Sequence, residues 1–204
     1  MTKRSEKVFI DSNMIIFAAA YKKDDVFNWI NQLYSDVYIH IEVYHELLIS
    51  EICGKVDEQI RANNWILFDP ETMSSEEQAI YNERMKDVSD GFRKMNDQRI
   101  VDGKPLKTVS NIGEIATITA CMMIGAGIIC SNDFDIRTVV EREDYRILVD
   151  DQDILIVQDS AEDFCVLCHH EGISNRKTIR GFYKTIIVEA RDRDIKLAQL
   201  DKRL

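Results

Sequence analysis

Two short segments far apart in the chain each end an apolar run on a carboxylate. Val8-Phe9-Ile10 leads into Asp11-Ser12-Asn13, and Ile128-Ile129-Cys130 leads into Ser131-Asn132-Asp133-Phe134-Asp135, with Asp133 standing 122 positions after Asp11. Between them, Asn111-Ile112-Gly113-Glu114 opens a long apolar stretch. If both runs are parallel strands of one α/β sheet, Asp11 and Asp133 stand just past the strands' carboxyl ends, where open α/β sheets place their ligands. Carboxylates gathered there repel one another unless a cation joins them, and all-oxygen donors favour magnesium, manganese or calcium. The chemistry implied is metal-assisted hydrolysis of a phosphodiester, in which bound metal orients a water and steadies charge on the attacking and leaving oxygens.

Each carboxylate also has a structural account. Asp11 sits between a strand and a helix, where Asp is a favoured N-cap. Asn111 and Glu114 have capping-box spacing. Asp133 suits the first turn of a helix capped by Ser131 or Asn132, where the dipole favours an acid, although Asp135 two residues on is more acid than a cap needs. Glu46 suits a solvated helix face. These accounts are independent of one another, and none requires the acids to share one edge of a sheet. The predicted order of elements puts them there.

That order follows from periodicity and punctuation. Strands are expected at 8–10, 37–39, 65–68, 128–130 and 154–157. Helices are expected at 12–20, at 41–53, from Ser74 or Ser75 to about Met85, and at 111–126, 134–143 and 160–170. Residues 86–110 read as a loop or broken helix, because Asp90-Gly91, Asp102-Gly103 and Pro105 punctuate them. Beyond Gly172 and Ser174 a single amphipathic helix is expected, with Ile179, Tyr183, Ile186, Ala190 and Leu197 on its apolar stripe. Strands alternating with helices specify a parallel sheet covered on both faces. The expected organisation is one domain over residues 1–172 and a C-terminal basic helix over 173–204.

The 204 residues are 45% hydrophobic and 30% charged, the make-up of a soluble globular protein with a substantial core. No apolar stretch reads as a signal peptide or a membrane span. Five scattered cysteines suit reduced thiols, so a cytoplasmic protein without membrane contact is expected. Cys165-Val166-Leu167-Cys168-His169 matches a haem-attachment spacing, but on a helix the two cysteines read as core thiols. The net charge of −10 weighs against a nucleic-acid footprint over the whole surface. Residues 174–204 run against it, with nine Lys/Arg against four Asp/Glu. Arg176, Lys177 and Arg180 are therefore the expected phosphate contacts, on a helix that packs on the body or makes a homodimer.

The ordered set Asp11-Ser12-Asn13, Glu46-Leu47-Leu48, Gly113-Glu114 and Ser131-Asn132-Asp133-Phe134-Asp135 resembles the PIN domain over roughly residues 7–160. The resemblance implies a three-layer α/β/α sandwich with a central, mostly parallel sheet. It implies a metal-dependent endoribonuclease using Mg²⁺ or Mn²⁺, with Asp11 and Asp133 as central ligands and Glu46 and Glu114 as further acids. Asp135 would be auxiliary, and Ser12, Asn13 and Ser131 would position a phosphate oxygen or a ligating carboxylate. RNA is then the substrate and, because many PIN domains are toxins of toxin–antitoxin pairs, an antitoxin protein is a partner. Two alternatives keep the same scaffold: a catalytically degenerate binding protein, and a nuclease directed at DNA. The chain is longer than the small toxins, with the excess at 86–110 and 174–204.

Overall fold

A computed structural model describes residues 4–104, 111–187 and 189–204. The chain runs β1 (Arg4–Ile10), α1 (Ser12–Ala20), α2 (Val26–Leu33), β2 (Tyr34–His40), α3 (Ile41–His45), α4 (Ser50–Arg61) and β3 (Trp65–Phe68). After a 3₁₀ turn at Pro70–Thr72 come α5 (Ser75–Val101), α6 (Ile112–Ile124), β4 (Ile128–Cys130) and α7 (Phe134–Glu143). The last part is β5 (Arg146–Val149), β6 (Gln152–Leu155), β7 (Val157–Asp159), α8 (Ala161–His170), α9 (Arg176–Ile186) and α10 (Ala190–Arg203).

Five strands form one parallel sheet in the order β3-β2-β1-β4-β7. Its inner strands are buried on both faces, which is why they read as unbroken apolar runs. Period-two alternation divides them between two cores. Val8 and Ile10 join Ile128 and Cys130 on one face, under α1, α2, α4, α8, α9 and α10. Phe9 and Ile129 face the other way, against α5, α6, α7 and the β5–β6 hairpin. The result is a three-layer α/β/α sandwich. Strand order reverses between β1 and β4, so the carboxyl ends of these neighbours flank the sheet's topological switch point.

Several elements depart from the sequence reading. The expected loop at 86–110 is helical through Val101, because α5 is a single helix of 27 residues started by a Ser74–Glu77 capping box. Gly91 lies inside it rather than in a turn. A Cβ there would come within 2.7 Å of Tyr145 Oη, so the glycine serves close packing of α5 on the β5 side. Of the remaining expected loop, residues 105–110 lie outside the described residues. The helix expected at 41–53 is two helices, broken at 46–49, and Leu48 on its expected apolar stripe is 92% exposed. The strand expected at 154–157 straddles two: β6 pairs antiparallel with β5, and β7 is the fifth strand of the main sheet. Helix α2 and strand β5 were not expected at all.

The C-terminal segment is a hairpin of two helices, not one helix. Asp201 on α10 receives Arg176 at 2.9 Å and also Arg180, both from α9, and so clasps the pair. Ile179, Phe182, Tyr183, Ile186, Leu197 and Leu200 are buried in the same core as α1, α2 and α8. The side chain of Ala190 lies outside the described residues. Cys165 and Cys168 are buried thiols of α8, as the helix spacing implied. Among the described residues no helix is long and apolar enough to cross a membrane.

One buried polar knot ties three strands. Asp159 on β7 accepts from Tyr34 Oη on β2 at 2.8 Å and from Arg4 on β1 at 2.6 Å. Burial raises the Asp159 pKa, opposed by the Arg4 charge. Asp159→Ala would leave a buried tyrosine hydroxyl and a half-buried guanidinium without their acceptor. The expected loss is about 2–4 kcal/mol in urea unfolding, and a loss below about 1 kcal/mol would show that the knot is not structural. Asp159→Asn, which can still accept from Tyr34, should cost less than the alanine change.

Candidate metal-dependent hydrolase site

The sequence placed Asp11 and Asp133 after strands, and the fold puts both beside the switch point. Asp11 follows β1 and caps α1, accepting from Ser12 N at 2.8 Å. Asp133 follows β4 and caps α7, accepting from Asp135 N at 2.9 Å. The N-cap account of Asp11 is thus realised, while Asp133 is itself a cap rather than a first-turn acid behind Ser131 or Asn132, and the two caps bring both side chains to the switch point. Ser131 Oγ joins them: it donates to Asp11 Oδ2 at 2.6 Å and accepts from Asp133 N at 3.0 Å. Asn13 completes the link, donating to Asp11 and to Ser131 Oγ and accepting from Asn132 N at 3.0 Å.

Glu46 ends α3, whose start is capped by His40 accepting from Glu42 N at 3.0 Å. That bond leaves the proton on His40 Nε2, which reaches Tyr81 Oη at 2.9 Å. Burial holds the His40 pKa down to about 4, so the ring stays neutral in this role. Ser12 Oγ donates to Glu46 Oε2 at 2.6 Å. Gly113, at the start of α6, gives Glu46 its room. A Cβ at 113 would collide with Glu46 Oε1 and lie 3.2 Å from Cδ, so any side chain there would push this carboxylate away from α6.

Glu114 answers the capping question directly. Asn111 makes no side-chain cap bond, so the capping box is not formed. Instead Glu114 Oε2 is buried with no hydrogen-bond partner. Buried polar atoms in folded proteins are nearly always satisfied, and an exception calls for an explanation. Electrostatics show what surrounds it. Burial pushes the Glu114 pKa up to about 7, a bond from its own backbone opposes this, and the charges of Asp11, Asp133 and Glu46 add to the rise. Burial likewise pushes Asp11 up to about 6, against the bonds from Ser131 and Ser12, with Glu46 and Asp133 adding to the rise. Asp11 and Glu114 therefore both lie within reach of the charges of Glu46 and Asp133, at one edge of the sheet.

The other expected site residues divide. Asp135 is held by Arg99 of α5, through two guanidinium bonds of which one is 3.1 Å, so its carboxylate faces a cation of the protein's own. Arg176 and Arg180 are paired with Asp201 inside the C-terminal hairpin. Lys177 is exposed on α9. Among the described residues, no three His, Cys, Asp or Glu side chains stand in ready-made metal-binding geometry. A cavity of about 400 Å³ beside Tyr21 and Lys55 is lined by none of the acids.

Two positioning residues escaped the sequence reading. Gln158, buried in β7, donates to the carbonyls of Ser131 at 2.7 Å and Asp133 at 2.9 Å, fixing the loop that carries both. An amide directly after the apolar run 154–157 was the available signal. His40 gave none, since its role depends on Tyr81 from a distant helix.

No protein-family model matches this chain, and no curated protein matches it. Among solved structures, one chain of VapBC2 from Rickettsia felis, bound to a DNA fragment from its promoter, is similar at 14% identity and a TM-score of 0.39. The similarity covers 65% of this chain and 92% of that one.

The raised pKa of Glu114 has a stability consequence. Between its unfolded value near 4.5 and about 7, the folded state holds a proton that the unfolded state has lost. This group's contribution therefore falls as pH rises through that window and stays low above it. Glu114→Gln removes the penalty, so in metal-free buffer the variant should match wild type near pH 4. At pH 8 it should exceed it by about 1–2 kcal/mol, a figure discounted for residual solvent screening. Urea midpoints across that range check this, and a constant difference between the two proteins would contradict it.

Proposed function

We propose that this protein is a PIN-like, Mg²⁺- or Mn²⁺-dependent endoribonuclease. The observation that carries the reading is the buried, unpartnered Oε2 of Glu114, set among the charges of Asp11, Glu46 and Asp133. Carboxylates buried beside one another are unfavourable by themselves, chiefly through lost hydration and further through mutual charge, and a hard divalent cation is the ligand whose charge and donor preference relieve this. All the donors present are oxygens, which fits magnesium or manganese. When bound, the ion supplies charge neutralisation at the phosphate and a more acidic water.

The chain's own residues then have distinct tasks. Asp11 and Asp133 hold the cation, and their cap bonds fix each carboxylate on a rigid helix start. Ser131 and Asn13 keep the two loops in register, so the donors do not drift apart as charge changes. Ser12 orients Glu46. Glu114, having a free oxygen, is the acid best placed to take a proton from the attacking water and return it to the departing oxygen as the ester P–O bond breaks. Asp135, tied to Arg99, acts through Asp133 by supplying its cap amide rather than as a ligand. The resemblance of the ordered acids to PIN domains supports RNA as substrate and a toxin paired with an antitoxin as context.

Incubation of mixed single-stranded RNA with Mn²⁺ tests the reading. Wild type should cleave, and Asp11→Asn and Asp133→Asn should lose at least about 10²-fold in rate, more than disturbance of an outer contact costs. Both variants should remain folded, since Asn also serves as an N-cap. Mn²⁺ at about 100 times its Kd should stabilise wild type by about 2.7 kcal/mol and the variants less. Full activity in both variants, with no Mn²⁺ effect on melting, would sink the proposal.

A further inference from the structure

The acidic pocket does not end at the acids. An opening of about 360 Å³ is lined by Asn13, Phe17, Asp133 and Asp135 together with Asn132 and Phe134. The same Asn132 and Phe134 line a second groove of about 310 Å³, which runs on to the C-terminal hairpin. The two hollows thus adjoin at Asn132 and Phe134. This side chain is 57% exposed, a large ring left in water at the first turn of α7, on the ridge between the two hollows.

Past the ring the lining changes sign. Arg137 of α7 and Lys196 and Arg203 of α10 line the second groove, with Glu162 and Asp163 of α8. Arg203 bonds both of these acids at 2.7 Å, and Arg137 reaches Asp163 at 3.4 Å as well as the Gln158 carbonyl at 2.9 Å. The acids are therefore answered by the two arginines, while Lys196 stands exposed on α10 and adds a further cation. An exposed flat ring followed by a cationic groove is how proteins hold single-stranded nucleic acid, with bases stacking on the ring and phosphates tracking the cations.

Resting on the nuclease reading above, we propose that the groove from Phe134 to Lys196 seats the single strand beside the cleaved phosphate. A base stacks on Phe134, and the adjoining phosphates lie toward Arg137, Lys196 and Arg203. The C-terminal hairpin thereby contributes to substrate binding through α10, whereas Arg176 and Arg180 of α9 hold the hairpin shut. A stacked ring can serve only an unpaired base, so the groove selects single strands over duplex.

Binding of a fluorescent 12-nucleotide RNA of mixed sequence, in EDTA to prevent metal-dependent turnover, tests the groove. Phe134→Ala should weaken binding about 5- to 100-fold and Phe134→Tyr should restore it. Lys196→Glu should weaken binding and lower the slope of log K against log salt by about one. Lys23→Glu, on the far cavity, should change neither, and a hairpin duplex should bind more weakly than the single strand. Urea midpoints equal to wild type confirm that the exposed substitutions leave the fold intact. If Phe134→Ala and Lys196→Glu bind as wild type while Asp11→Asn abolishes cleavage, the groove proposal is overturned and the nuclease reading stands. If wild type neither binds nor cleaves the strand, both fail.

Discussion

Burying carboxylates at a sheet edge is the cost around which this molecule is arranged. Water stabilises a carboxylate far better than a protein interior does, so each buried acid must be hydrogen-bonded, paired with a cation or protonated. The structure uses a different remedy for each. Asp11 is held by a serine hydroxyl, an asparagine amide and a backbone N–H. Asp135 and Asp159 take arginines. Glu114 receives no such partner for one oxygen, and it carries the higher of the two raised values among the site acids. The contrast matters because the other buried acids show that this chain can satisfy a carboxylate where nothing else is to bind it.

The topology explains why that arrangement is possible. Parallel strands send all their carboxyl ends to one edge, and the reversal of order between β1 and β4 leaves a gap there instead of a crossing connection. Asp11 and Asp133 reach the gap as helix caps, so the groups that start α1 and α7 also face the site. Ser131, Asn13 and Gln158 then join β1, β4 and β7 through side chains where the backbone ladder has ended. Rigidity at the site thus comes from the same bonds that terminate the strands.

The layered fold and the acid pair at its centre could be read from the chain because they depend on local signals. Apolar triplets ending on Asp, and caps preceding periodic runs, gave β1, β4, α7 and the positions of Asp11 and Asp133 closely. Asp90-Gly91 misled because a glycine that admits a neighbouring ring looks, in sequence, like one that turns the chain. Leu48 misled because the apolar spacing of residues 41–53 continued across a break that tertiary packing imposes. The partners of Arg99, Arg176 and Arg180 were not legible, since charge counts say nothing about which cations are already paired within the fold. Glu114 shows the limit most clearly: its spacing to Asn111 fits a capping box, and only the folded chain shows that bond unmade.

The C-terminal hairpin sets the order in which the molecule can be completed. Tyr21 Oη bonds the Thr178 carbonyl at 3.1 Å, and Phe182 packs edge-on against Tyr21, Trp29 and Phe164. During synthesis the aromatic face formed by the first thirty or so residues must wait for a covering made some 150 residues later. The pairing of β1 with β4 and the Ser131–Asp11 bond likewise join segments far apart in the chain. Non-local closure of this kind is slow and leaves apolar surface exposed meanwhile. The acids are consequently brought together late, so a growing chain lacks its assembled acidic edge until β4 and Asp133 have been made.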